Sequence, residues 1–265
     1  MIEFGLDLDH AARVAEQAVY AAGTHLLASR ARLAETLVTR HDPSEVANQI
    51  AQEAATLMRG VVAREFPQHD FHAGSVGPRF RPGRPCWVAD ALDGRENYLR
   101  GAAPYAVALA LVVDGEPHLG VVFDPQGNEF FGALRGRGAV LNGTPIRCAS
   151  PRSSRLARIA AVLPRSDSPR MARCIAEVGR MATGFGSVRR SVAKALEMAH
   201  LAAGRIDGFW GHDLDNRNAA AGIVLLRESG ALVEARDAAP LLESRSIFAC
   251  APGLRADFVA LLGAA

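Results

Sequence analysis

The run Trp87–Gly101, WVADALDGRENYLRG, decides how this chain is read. Two aspartates, Asp90 and Asp93, stand three apart where an apolar stretch ends and a glycine turn begins. That pattern presents carboxylates at a strand end, beside the amides of Gly94, Arg95 and Glu96. Paired carboxylates next to free amides are what a hydrolase working with Mg²⁺ and phosphate needs: oxygen ligands for a hard cation, N–H donors for an anion. Arg95 puts a permanent cation in the same turn, where it competes with any metal.

Outward from this run, the pattern predicts a mixed α/β chain. Alanine, leucine and valine at helical spacing predict one long helix over His10–Leu33. Asp42-Pro43-Ser44 is a helix start, and Glu45–Phe66 continues as a second helix. Gly74–Pro85 reads as a loop, with His69, Asp70 and His72 on the solvated stretch before it. Strands follow at Cys86–Ala89, Tyr105–Val113, His118–Phe123 and Glu129–Ala133, with turns at Asp114-Gly115 and Gln126-Gly127. After Pro151 the pattern alternates. Leu156–Val162, Ile206–Trp210 and Ile247–Ala251 read as strands; Pro169–Val178, Ser191–Ala203, Arg217–Ser229 and Leu254–Leu262 read as helices. Residues 1–150 then form an N-terminal lobe carrying the aspartates and 151–265 a C-terminal lobe, in one compact unit.

The central run resembles the signature of the inositol monophosphatase family, D-P-L-D-G-T-T-N-F. Gly120–Cys148 resembles that family's central hairpins. Ala202–Trp210 and Asn218–Gly230 resemble its C-terminal W-D-x-A-A-G segment and helix. The resemblance covers nearly the whole chain. It implies a layered αβαβα sandwich, a homodimer, and hydrolysis of phosphate monoesters with Mg²⁺. It also implies metal-ligand roles for Asp90, the Leu92 carbonyl and Asp93.

Elsewhere the chain departs from the family pattern. Ser75 stands at the ligand glutamate, Arg95 at the catalytic threonine and Asn218 at the aspartate of W-D-x-A-A-G. Arg217 replaces that motif's tryptophan, Asn48 the first-helix aspartate and Glu45 its threonine. Val192-Ala193-Lys194 replaces the turn against the substrate ring, and Gly211 an acidic position. Ser75, Asn218 and Asn48 each remove a carboxylate from the site or its support; Arg95 and Lys194 each add a cation. At about 4 Å and an effective dielectric near 20, a unit pair is worth roughly 4 kcal/mol. One added arginine is therefore large against Mg²⁺ affinity.

Composition narrows the partners. Thirty basic and 28 acidic residues leave a formal charge of +2, so no nucleic-acid-binding field is expected. No apolar run has membrane-spanning length, and Met1–Asp9 lacks the pattern of a leader. Four scattered cysteines without a CxxC pair fit a reduced cytoplasmic protein. Of the 30 basic residues only Lys194 is a lysine.

Three readings stay open. In the first, Arg95 and Lys194 make a metal-free pocket for an anionic small molecule, with Gly94, Asn97, Ala193 and Asn218 as further ligand contacts. The pocket is then either silent or the seat of altered chemistry, with Asp90, Asp93 or Glu96 as acid or base and Lys194 as acid or electrophile. In the second, Asp90, Leu92 and Asp93 retain a Mg²⁺ site and weak phosphatase action on inositol or sugar phosphates. In the third, Arg95 folds onto both aspartates and the protein is a catalytically silent interaction or regulatory module. Asp213 and Asp215, with His212 beside them, are expected to cap the helix near Arg217. Restoring the family residues together (Ser75→Glu, Arg95→Thr, Asn218→Asp) is predicted to raise Mg²⁺ affinity, read by calorimetric titration. A triple variant that binds Mg²⁺ no better than wild type contradicts the charge argument.

Overall fold

A computed structural model describes residues 2–3, 6–39, 42–74, 80–151 and 153–263. A two-residue pair, β1 (Ile2–Glu3) and β2 (Leu6–Asp7), precedes α1 (Leu8–Ala28). Asp7 caps α1, its carboxylate accepting from the amides of Asp9 and His10. Leu8, Ala11, Val14, Ala15, Ala18, Val19, Ala22 and Leu26 are buried, the spacing of one helical face. The predicted single helix is two, because the chain breaks at Ser29 before α2 (Arg30–Thr39). The Ser29 hydroxyl lies 3.4 Å from the His25 ring, a local bond that competes with helix continuation. Asp42 caps α3 (Pro43–Glu65) by accepting the Ser44 amide at 2.8 Å.

A seven-stranded sheet follows: β3 (Asp70–His72), β4 (Cys86–Asp93), then, after α4 (Arg95–Leu99), β5 (Ala106–Val113), β6 (Glu116–Asp124), β7 (Glu129–Leu134), β8 (Gly138–Leu141) and β9 (Thr144–Ile146). All neighbours are antiparallel except β3 with β4. The expectation of a solvated stretch around His69 and His72 is corrected here. Asp70–His72 is an edge strand beside β4, and His69 accepts the Trp87 indole N–H at 3.1 Å. Burial holds the His69 imidazole below its ordinary range.

The second sheet runs β11-β10-β12-β14-β13. Its strands are β10 (Arg158–Val162), β11 (Ser187–Arg190), β12 (Gly208–His212), β13 (Leu232–Ala235) and β14 (Ser246–Cys250). Between them come α5 (Met171–Gly184), α6 (Lys194–Ala202) and α7 (Asn216–Glu228), and α8 (Arg255–Leu262) closes the chain. Strand β11, SVRR, was not expected. As a polar edge strand it lacks the apolar alternation that marks a strand in sequence.

Three apolar clusters define five layers. Helices α1 and α3 pack on the Trp87, Ala89 and Leu109 face of the first sheet. Helices α6 and α7 fill the middle, between the Val88 and Ala108 face and the Phe209 and Ile247 face of the second sheet. Helices α5 and α8 cover the Trp210 and Phe248 face. The fold is therefore α/β, the αβαβα sandwich. The middle layer is tight: a Cβ on Gly120 of β6 would lie 2.4 Å from the Ala221 carbonyl oxygen of α7. Among the described residues no helix is long and apolar enough to cross a membrane.

The outer layer is tied to the second sheet by charge. Glu177 of α5 is fully buried and accepts from Arg236 at 2.7 Å, Arg173 at 3.1 Å and His212 at 2.7 Å. Burial alone would raise this carboxyl, but those donors outweigh it and bring it to about 2. A folded value below the ordinary 4.5 means stability present above that pH and lost as pH falls toward 2. We predict that the gap in melting temperature between wild type and Glu177→Gln, several degrees at pH 6, closes between pH 4.5 and 2.5. A gap independent of pH counts against this account.

Candidate active site

Strand β4 is buried along its whole length and delivers both aspartates to one place. Residues three apart on a regular strand face opposite sides of the sheet. Here Asp90 pairs with Ala108 and Asp93 with Ala106, so β4 carries one extra residue between the two pairs. This bulge turns both carboxylates toward the middle layer, where Ala106 and Ala108 also lie. Gly94 then reverses the chain at φ +81°, and a Cβ there would stand 2.7 Å from the Pro104 carbonyl oxygen.

The two carboxylates meet different partners. Asp93 is 2 % exposed and accepts the Lys194 amide at 2.7 Å and the Leu196 amide at 3.1 Å. It therefore caps α6, whose own preceding residue, Ala193, supplies no side-chain cap. Asp90 is 7 % exposed and accepts the Leu92 amide at 3.3 Å. Arg217 of α7 lines the same cleft, acts on Asp90 by its charge and bonds Asp215 at 2.8 Å. Burial pushes both carboxyls up; the Arg217 charge opposes the shift at Asp90, and the Asp90 charge adds to it at Asp93. The two titrate as a unit. Burial disfavours the Arg217 charge, yet Asp215 and Asp90 together raise its hold on its proton.

The expectation that Arg95 folds onto the aspartates is corrected. Its guanidinium reaches the other way, bonding the Asn48 side chain and the Ser44 carbonyl of α3. The cation beside Asp90 is Arg217, which the motif comparison registered only as a lost tryptophan. Arg217 is, like Arg95 and Lys194, a charge that the sequence adds where the family motif is uncharged. Lys194 begins α6, and its charge acts on both aspartates.

Asn48, Asp90, Leu92, Asp93, Gly94, Arg95, Glu96, Lys194, Asp215 and Arg217 line one cleft of about 660 Å³. Glu96 also turns to Arg190 at 3.5 Å, both exposed. Asn97 is held away, donating to the Pro104 carbonyl at 2.8 Å. Ala193 is buried at the start of α6. Asn218 lies on α7, with its side chain outside the description; Ser75 lies outside the described residues. Asp213 and Asp215 were expected to cap α7. Asp215 immediately precedes that helix and its carbonyl accepts the Ala219 amide at 3.1 Å, while its carboxylate accepts from Arg217; the Asp213 carboxylate accepts from Ser168 and Arg170.

A family model described as the Inositol monophosphatase family matches residues 7–262. The chain belongs to that family. An inositol-1-monophosphatase of Rhizobium meliloti is 31 % identical over 216 residues, covering 81 % of each chain. A protein of Xylella fastidiosa named Nus factor SuhB is 34 % identical over 227 residues, covering 84 % of this chain and 81 % of its own. The structure of an inositol monophosphatase from Anabaena superposes with a TM-score of 0.84 at 26 % identity, over 97 % of this chain and 96 % of that one.

Inositol monophosphatases are normally Mg²⁺-dependent, and the residues present here were weighed against that ion. A hard dication needs several anionic oxygens converging on it. Both Asp93 oxygens are engaged by α6 amides, and a guanidinium stands beside Asp90. Among the described residues no three acidic, histidine or cysteine side chains converge on one point. The shared charge of the Asp90–Asp93 pair and that of Asp215 are matched by Arg217 and Lys194. The donor set does not fit the family's full metal complement. Asp93→Ala should cost about 2 kcal/mol or more through two lost hydrogen bonds at a buried helix terminus. Hydrogen exchange at the Lys194 and Leu196 amides should accelerate at least tenfold, and Asp93→Asn, which keeps an acceptor, should lie between. Unchanged exchange would mean that α6 does not depend on this cap.

Proposed function

We propose that this inositol monophosphatase family member binds an anionic, phosphate-bearing small molecule with protein cations in place of metal. Arg217 takes the position beside Asp90 that a divalent cation would need, and Lys194 adds a second charge at the α6 terminus. One observation carries this reading. The Nε of Arg217 is buried and has no hydrogen-bond partner among the described residues. A buried donor without an acceptor is rare and costly. The Arg217 side chain bonds Asp215 yet is 24 % exposed and lines the cleft, so its other N–H groups can meet a phosphate or carboxylate oxygen there.

In this reading the residues bind and orient. Where the family has its catalytic threonine, Arg95 pins α4 to α3. The relatives named Nus factor SuhB support a second reading, a role in contact with other proteins. Under it the cleft is a structural ion network.

The test is a thermal melt against inositol phosphates and sugar phosphates, once in chelator and once in millimolar Mg²⁺. Ligand at 100 times Kd adds about 2.7 kcal/mol, a shift of several degrees for a chain of this size. We expect the shift in chelator and its loss in Arg217→Ala. Stabilisation or phosphate release that requires Mg²⁺ would instead establish a weak phosphatase. No shift under either condition would favour the protein-contact reading. Because the Arg217 charge acts on Asp90, Arg217→Trp added to the three restoring changes should raise Mg²⁺ affinity beyond that of the triple variant.

A further inference from the structure

On the far face of the second sheet, His212 of β12 and Ser246 of β14 form a cross-strand pair. Both share the parity of Trp210 and Phe248, whose side chains meet α5 and α8, so they face away from the cleft holding Asp90 and Asp93. The Ser246 hydroxyl lies 2.9 Å from His212 Nδ1, and His212 Nε2 lies 2.7 Å from the Glu177 carboxylate. Glu177 is fully buried and held as a carboxylate by Arg236 and Arg173. A carboxylate only accepts hydrogen bonds, so Nε2 donates to Glu177; in the tautomer whose one proton sits there, Nδ1 is the acceptor to which Ser246 O–H donates.

This is the order of a hydroxyl, a base and an orienting acid, with the two ring nitrogens exchanged relative to the usual serine hydrolase arrangement. The exchange leaves the chemistry intact, since either imidazole nitrogen can take a proton while the other bonds the acid. The group is not sealed in the core. Ser246 and His212 form part of the wall of a cleft of about 330 Å³, together with Arg170, Arg173, Arg236 and Asp237. The Ser246 amide is bound to the Ser244 hydroxyl at 3.2 Å and is not free to hold an oxyanion. Arg170, Arg173 and Arg236 put positive charge on the cleft wall while also donating to Asp213 and Glu177, and that charge is what would meet an oxyanion.

We propose that Ser246 is a nucleophile, with His212 as its general base, in a second site that accepts small esters carrying an anionic group. Ser246 Oγ attacks the acyl carbon while its proton passes to His212 Nδ1. The ester C–O bond breaks, and the leaving alcohol takes that proton. Water then adds to the acyl group by the same route, giving the carboxylic acid and free Ser246. Glu177 stabilises the imidazolium in both halves and positions the ring. The anionic group of the ester lies against the arginine wall.

The intact chain, in chelator and without phosphate ligands, is treated with an organofluorophosphonate and mapped by peptide mass. We expect one phosphonyl group on Ser246, its Oγ–P bond formed as fluoride leaves and the serine proton passes to His212. Ser246→Ala should abolish the adduct, and His212→Asn should slow it about 100-fold or more. p-Nitrophenyl hemisuccinate should be cleaved at least ten times faster than p-nitrophenyl acetate. Absence of a Ser246 adduct on the folded wild-type chain overturns the proposal without recourse to a variant that could misfold. An adduct that forms as fast in folded His212→Asn as in wild type overturns the role of the base. Equal rates on the two esters overturn the anionic substrate.

Discussion

The contact on which the arrangement depends is the bond between Asp93 and the first turn of α6. Asp93 ends a strand of the first sheet, and α6 belongs to the middle layer that the second sheet packs on. This carboxylate therefore helps join the N-terminal strands to the C-terminal half of the chain, at a position only 2 % exposed. It also sets the position of Lys194, because the amide it accepts belongs to that residue. The same carboxylate that a family member would offer to metal is here committed to a helix terminus.

That commitment explains why the cations matter more than the missing ligands. A site with two buried carboxylates and no counter-charge would be strongly destabilising at neutral pH. The charges of Arg217 and Lys194 act on Asp90, and that of Lys194 on Asp93, each opposing the rise that burial imposes on the carboxyl. Arg95 contributes differently. By reaching to α3 it closes the turn after Gly94 onto the first helical layer and fixes the rim of the cleft. The second buried carboxylate, Glu177, follows the same rule: arginine and histidine donors surround it, and this holds the outer layer to the sheet.

Much of the fold is legible along the chain. Helices α1 and α3 announce themselves by apolar spacing and by the Asp42-Pro43 start, and β5 and β6 by long apolar runs. The edges are not legible. Strands β3 and β11 are short and polar, stabilised by a neighbour rather than by their own pattern. The break at Ser29 was equally hidden, because alanine-rich sequence on both sides has the same periodicity.

For the site, the sequence by itself determined the chemistry on offer: two aspartates in a D-x-x-D-G turn, a lost threonine, and arginine and lysine where the family is neutral or acidic. Residue identity is enough for that, since charge and hydrogen-bonding capacity belong to the side chain. Which cation faces which carboxylate was decided only by tertiary structure. A bulge of one residue in β4 sets the direction of Asp93, and the packing of α7 on Gly120 brings Arg217 within reach of Asp90. Arg95, adjacent in sequence, is turned away by α3. Proximity along the chain and proximity in space diverge here because a guanidinium on a long flexible stem bonds the acceptor that the fold presents, not the one its neighbours spell.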